Sequence, residues 1–143
     1  MAITRWDPFR DLFWIESDVD RVVRRAFGGE GTGAWTPALD VYEDTDRFVV
    51  TVELPGVDPE MVDVSVEDST LTVKGEREFH KDLLEESFRR IERRYGSFSR
   101  TLVLPPTADP DRVEARFDKG VLTVEVPKAQ EAKPRRIEVK TVA

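Results

Sequence analysis

The sequence predicts an all-β fold: an immunoglobulin-like antiparallel β-sandwich with an N-terminal amphipathic helical arm and a short extended C-terminal tail. Three observations predict it. Between Leu39 and Val126 the chain holds run after run in which apolar residues recur at every second position, the period that sends alternate side chains to opposite faces of a strand. About seven such runs are separated by Pro, Gly and Asp, residues that turn a chain. Before Ala34 the apolar spacing is three and four, that of a helix with one apolar face. The chain therefore divides into an arm with its linker over 1–34, a sandwich over 35–127 and a tail over 128–143.

The arm sets Trp6, Phe9, Leu12, Phe13, Val19, Val22, Val23 and Phe27 along one helical face, with a break near Ser17. Asp7 suits the N-cap, Pro8 the first helical position, and Gly28 and Gly29 end the helix. The run GGEGTG that follows reads as a flexible linker. It is no phosphate loop, because no strand leads into it and it lacks the Lys-Ser/Thr pair. The sandwich has an alternating core of its own, so the aromatic face of the arm is expected to meet another subunit or a bound protein.

Within the sandwich, Leu39 to Glu43 alternates, and RFVVTVEL puts Phe48, Val50, Val52 and Leu54 on one face. PGVDP is a turn. MVDVSVED sets Val62, Val64 and Val66 against Asp63, Ser65 and Glu67, and TLTVKGE repeats the pattern with Leu71 and Val73. After a charged interval come SFSRTLVL, RVEARFD and GVLTVEV, the last with Leu122, Val124 and Val126. HKDLLEESF is the longest stretch in the domain that competes as a helix. In the tail, Ile137 and Val139 point the same way on an extended strand, yet they come too late to join the core.

The net charge of −7 is unevenly spread: −1 over 1–34, −9 over 35–127 and +3 over 128–143. An acidic body with a basic tail suits a tail that docks on acid, and it suits nucleic acid poorly. There is no cysteine for a disulfide, a thiol nucleophile or a thiolate metal site. No apolar run reaches membrane-span length, and MAITRWDPFRDLF lacks the order of a secretory signal. A cytoplasmic location is expected.

No catalytic, metal or cofactor site is legible. His80, the sole histidine, sits among charges in EFHKDLLEE and is expected to be a solvated loop residue. The turn acids Asp44, Asp46, Asp109 and Asp111 lack the spacing of a calcium loop, and nothing singles out a carboxylate pair. FRRIERRYGSFSR, Phe88 to Arg100, interleaves arginines with aromatics as single-strand nucleic-acid platforms do. Its charges also complement the acidic strand LDVYED, which has no evident pairing partner. Arg89, Arg90, Arg93 and Arg94 opposite Asp40, Glu43 and Asp44 make favourable cross-strand pairs, and this second reading is preferred.

ARFDKGVLTVEVPK then carries the A-x-x-x-n-G-V-L signature of the α-crystallin domain on Ala115, Gly120, Val121 and Leu122, with Lys119 where Asn or Asp is common. VELPGVDPEMVDVSVED with LTVKGER, the opening WDPFRDL and the closing Ile137-Glu138-Val139 resemble, in order, the blocks of bacterial-type small heat-shock proteins. The resemblance implies an ATP-independent holdase that captures partly unfolded client proteins for later refolding by ATP-driven chaperones. It implies a homodimer in which Phe88, Arg89, Arg90, Ile91 and Arg93 pair with Leu39, Asp40, Tyr42, Glu43 and Asp44 of the partner, and larger oligomers built from it. It also implies a groove for Ile137 and Val139 between Val62, Val64 and Val66 on one side and Val113, Ala115 and Phe117 on the other. The competing readings are a CS-domain-like co-chaperone adaptor, a carbohydrate-binding module using Trp35 and Tyr42, and the nucleic-acid binder through Phe88–Arg100.

Overall fold

The computed structural model describes residues 35–132 and 136–142, so the predicted helical arm, Trp6 through Phe27, lies outside the described residues. Seven strands follow in chain order: β1 (Leu39–Glu43), β2 (Arg47–Glu53), β3 (Val62–Glu67), β4 (Thr70–Arg77), β5 (Gly96–Val103), β6 (Glu114–Asp118) and β7 (Val121–Pro127). They form two antiparallel sheets, ordered β1-β2-β7-β6 and β3-β4-β5. The predicted sandwich is the observed one. HKDLLEESF contributes only a single 3-10 turn, Glu85–Ser87.

The period-two residues fill the space between the sheets. Phe48, Val50 and Val52 of β2, Leu122, Val124 and Val126 of β7, Leu71 and Val73 of β4, and Phe98 and Leu102 of β5 are all buried. Each such side chain contributes roughly 1.5–3 kcal/mol on burial. The register aligns these core positions, Val50 opposite Val124 and Leu71 opposite Leu102, so one slipped residue would turn a strand's apolar set to water.

Turn chemistry fixes the connections. Asp44 closes the β1–β2 hairpin by accepting from the backbone N–H of Asp46 at 2.8 Å and of Arg47 at 2.9 Å. Those bonds, the one from Asp46 foremost, hold its carboxyl below the usual range. Asp58 and Asp109 cap the short 3-10 turns Pro59–Met61 and Pro110–Arg112, each accepting from a backbone N–H two residues on. The second cap is tightened by an ion pair with Arg112 at 2.7 Å, and that hydrogen bond is the main cause of the lowered Asp109 pKa.

The family signature has a local physical meaning. Lys119 (φ 51) and Gly120 (φ 79) form a two-residue loop with both residues left-handed, the twist that joins β6 to β7 without splaying them. Gly120 is needed twice over, since a Cβ there would also lie 3.1 Å from Pro55 Cα. Lys119 pays the usual penalty of an L-residue in this region, roughly 1–2 kcal/mol, which asparagine largely avoids. Lys119→Asn is therefore expected to raise the thermal midpoint of the sandwich by a few degrees. An unchanged or lower midpoint by calorimetry would mean that Lys119 makes a compensating contact.

Candidate interaction surfaces

Each sheet leaves two edges, and all the expected contacts of the sandwich fall on those edges or on the loop between β4 and β5. β1 is the edge of the four-stranded sheet. The hydrogen bonds Asp44 N to Arg47 O and Glu53 N to Ala38 O place the even-numbered backbone groups from 38 to 44 toward β2. Leu39, Val41 and Glu43 therefore aim their N–H and C=O groups outward, a ready template for another strand. Their side chains point to the core and are half-buried, while Asp40 and Tyr42 face solvent, Tyr42 with 57% of its surface exposed.

The acidic strand is not as unpartnered as its sequence suggests. β2 covers one side of it, Glu43 lies 3.8 Å from Lys128, and Asp44 is engaged with Arg47 and its own turn. Local partners reach these acids because the hairpin and the start of the tail pass over them, which no pairwise strand comparison reveals. Asp40 remains exposed and outward.

The expected partner strand, Phe88–Arg93, has no regular structure, bends at Arg89 and Arg93, and belongs to no sheet in the single chain. Arg89, Arg90, Ile91 and Arg93 are exposed, and Arg90 sits 3.6 Å from Glu92. Phe88 instead joins a ring cluster with Phe79, His80 and Tyr95, at centroid separations from 4.8 to 5.7 Å. His80 is thus exposed, as expected of a loop residue, but not merely solvated. It stacks on Phe88, and its Nε2 lies 3.1 Å from Tyr95 Oη, which accepts from Arg93 Nη1 at 2.9 Å. Phe88 and Tyr95 each pack on Phe79 and His80, and Phe98 lies in the core, so the aromatics of Phe88–Arg100 form no continuous row of open rings on which successive bases would stack.

The expected tail groove draws on two further edges, β3 and β6. Val62, Val64 and Val66 lie on β3, the edge of the three-stranded sheet; Val113 precedes β6 and Phe117 lies on it, the opposite edge of the other sheet. All five are half-buried against the same core cluster. Ala115 sits between Val113 and Phe117 on the inward face, opposite the fully buried Val124, yet is itself exposed. A small residue at that position leaves the edge indented. Ile137 and Val139 lie outside regular structure and are 84% and 90% exposed, so their own chain does not seat them.

Three apolar features were not singled out by sequence. Leu83 and Leu84 are exposed in the loop, and Val142 of the tail is 94% exposed. Their only sequence signal is an apolar residue among charges. Trp35, a candidate sugar platform by sequence, instead covers the outer side of β5, its N–H and Nε1 donating to Ser97 O and Gly96 O. It packs on Phe98, which removes it as a stacking platform for sugars. Among the described residues no group of three or more His, Asp or Glu is placed to hold a metal, and no helix is long and apolar enough to cross a membrane.

Comparison with known proteins agrees with this geometry. Residues 40–140 match the model of the Hsp20/alpha crystallin family. The 18 kDa heat shock protein of Streptomyces albus G is 38% identical over 141 residues, spanning 96% of this chain and 92% of that one. The small heat-shock protein from Xylella fastidiosa, whose crystal structure reveals a distinct high order structure, superposes with a TM-score of 0.65 at 42% identity, covering 75% of this chain and 98% of that one. Heat shock protein 16.0 from Schizosaccharomyces pombe gives a TM-score of 0.64 at 40% identity, covering 76% and 99%.

Proposed function

The chain belongs to the Hsp20/alpha crystallin family, that of the small heat-shock chaperones, and from that premise we propose that it is an ATP-independent holdase that binds partly unfolded proteins and keeps them from aggregating under stress. The observation that carries the reading is a complete sandwich core with apolar side chains left outside it. Ile137, Val139, Val142, Leu83, Leu84 and Ile91 are all exposed. An enzyme would converge polar groups on a cleft; here apolar groups sit on edges, a loop and a tail, where they meet other chains.

The assembled unit is a homodimer in which the loop segment Phe88–Arg93 adds to the outward edge of the partner's β1, and the tail ties such dimers into larger oligomers. The arm, with Trp6, Phe9, Leu12, Phe13 and Phe27, supplies the main client contact. The protein acts in the cytoplasm and hands its clients to ATP-driven refolding chaperones. Burial of apolar surface gains strength on heating from the cold side, so exposed client surface competes well with a weak self-contact as temperature rises.

The purified full chain, in stoichiometric excess and without nucleotide, is expected to hold a heat-labile enzyme in solution as the temperature is raised, read by light scattering. Undiminished scattering with several unrelated clients would sink the holdase reading.

A further inference from the structure

Arg77 ends β4 on its inward face, in register with Leu71 and Val73, and is only 8% exposed. Its guanidinium lies 3.8 Å above the Trp35 ring, and its Nη1 donates to Arg94 O at 3.0 Å. Its Nε has no acceptor in reach. Burial, and then the nearby charge of Arg93, push its pKa down, with Tyr95 offsetting part of the shift; an arginine stays charged nonetheless. Arg93 spends Nη1 on Tyr95 and turns Nη2 over the Pro55–Gly56 turn. A side chain on Gly56 (φ +78) would begin 3.1 Å from Arg93 Nη2 and 3.9 Å from Arg77 Nε, so the two nitrogens are no more than about 7 Å apart over the Pro55–Gly56 turn, with Arg77 Nε shielded from solvent. Neither arginine is ion-paired with a carboxylate among the described residues, although Arg47, Arg90, Arg112 and Arg116 all are.

We propose that Arg77 Nε and Arg93 Nη2 form a binding site for one oxyanion, floored by Gly56 and walled by Trp35. Two like charges brought together beside a ring and a glycine repel one another and leave a buried donor unpaired, and both costs vanish when an anion bridges them. A carboxylate or phosphate, taking an N–H on each of two oxygens at about 2.8 Å, reaches across a separation of that size once the exposed Arg93 side chain swings aside to uncover Arg77 Nε. Because Arg93 lies in the loop and Arg77 in the sandwich, the anion pins the loop's returning end to the body. The oxyanion has two sources, free phosphate or a carboxylate of a second copy of this chain; the second source rests on the dimer proposed above.

The full chain carrying Trp6→Phe and Trp14→Phe keeps Trp35 as its sole tryptophan. Inorganic phosphate is titrated into it at constant ionic strength against chloride, with Trp35 emission and the thermal midpoint as readouts. Phosphate is expected to shift the emission saturably and raise the midpoint. Arg77→Lys, which keeps the charge but loses the Nε donor, and Arg93→Gln should each raise the half-saturating concentration by about tenfold or more, the scale of one lost charge-assisted bond. If a second copy supplies the anion, Trp35 emission in phosphate-free buffer changes as the protein is diluted to monomer, and Arg77→Lys abolishes that change. Emission and midpoint indifferent to both phosphate and dilution would overturn the site, as would a phosphate response unaltered in both variants. A chain monomeric at every concentration would sink the dimer alone, since the phosphate arm still decides the site.

Discussion

Replacing Val41 by proline is expected to convert the proposed dimer to monomer while the sandwich stays folded. The distinction depends on which way the backbone of β1 points. Because Asp44 N donates to Arg47 O and Ala38 O accepts from Glu53 N, Val41 lies between the positions bonded to β2 and offers its N–H to the open side. Proline there removes a donor that β2 does not use and places its ring where an incoming strand would lie. A backbone hydrogen bond contributes roughly 0.5–1.5 kcal/mol net, and a symmetric exchange contains the site twice. The dimer dissociation constant should rise by about one to two orders of magnitude.

Two controls make the result specific. Val41→Ala loses more core contact than the proline variant but keeps the N–H, so it should unfold earlier yet remain dimeric. Tyr42→Pro strikes a position bonded to β2 and should lower the thermal midpoint of the sandwich itself. Light scattering coupled to size exclusion, with circular dichroism for the fold, reads all three. A Val41→Pro protein with the mass of the unmutated dimer at low micromolar concentration would place the subunit contact on another surface.

The strands were legible because each buries one face only. Phe48, Val50 and Val52, or Leu122, Val124 and Val126, announce a period of two that a buried core enforces. The same period concealed Arg77. It follows Leu71 and Val73 on the inward face of β4, but a charged residue at a strand's end reads as solvated, and its support comes from Trp35, far away in the chain. The ring cluster was hidden for a related reason: His80 and Tyr95 are 15 residues apart across a segment without regular structure, where no period exists to connect them. Trp35 and Gly96, 61 residues apart, are joined only by the folding of the sandwich. Contacts that follow from periodicity can be read along the chain; contacts that follow from two loops meeting cannot.

The tail offers the second large effect. Ile137 and Val139 stand 84% and 90% exposed, so burying them in a neighbour's groove gains roughly 1.5–3 kcal/mol each. Ordering five or six tail residues costs about 1–2 kcal/mol apiece. Edge hydrogen bonds to β3 or β6 must offset the difference, helped by a tail of charge +3 meeting Asp63, Glu67, Glu114 and Asp118 on those edges. The net is near zero, so a small loss releases the latch. Ile137→Ala with Val139→Ala is expected to reduce any assembly larger than a dimer almost entirely to dimers, with the unfolding of the sandwich unchanged because both residues lie outside its core. Val142→Ala is the matched control. Val142 is 94% exposed and equally apolar, but on an extended chain it faces the opposite side from Ile137 and Val139, so its loss should leave the mass alone. If the unmutated protein is only a dimer, the double variant should have the same mass, and the tail then has no role in assembly. A large assembly that ignores the double change would assign the work to the aromatic arm, and one that falls apart with Val142→Ala as well would mean that the tail binds by bulk hydrophobicity rather than by one face of a strand.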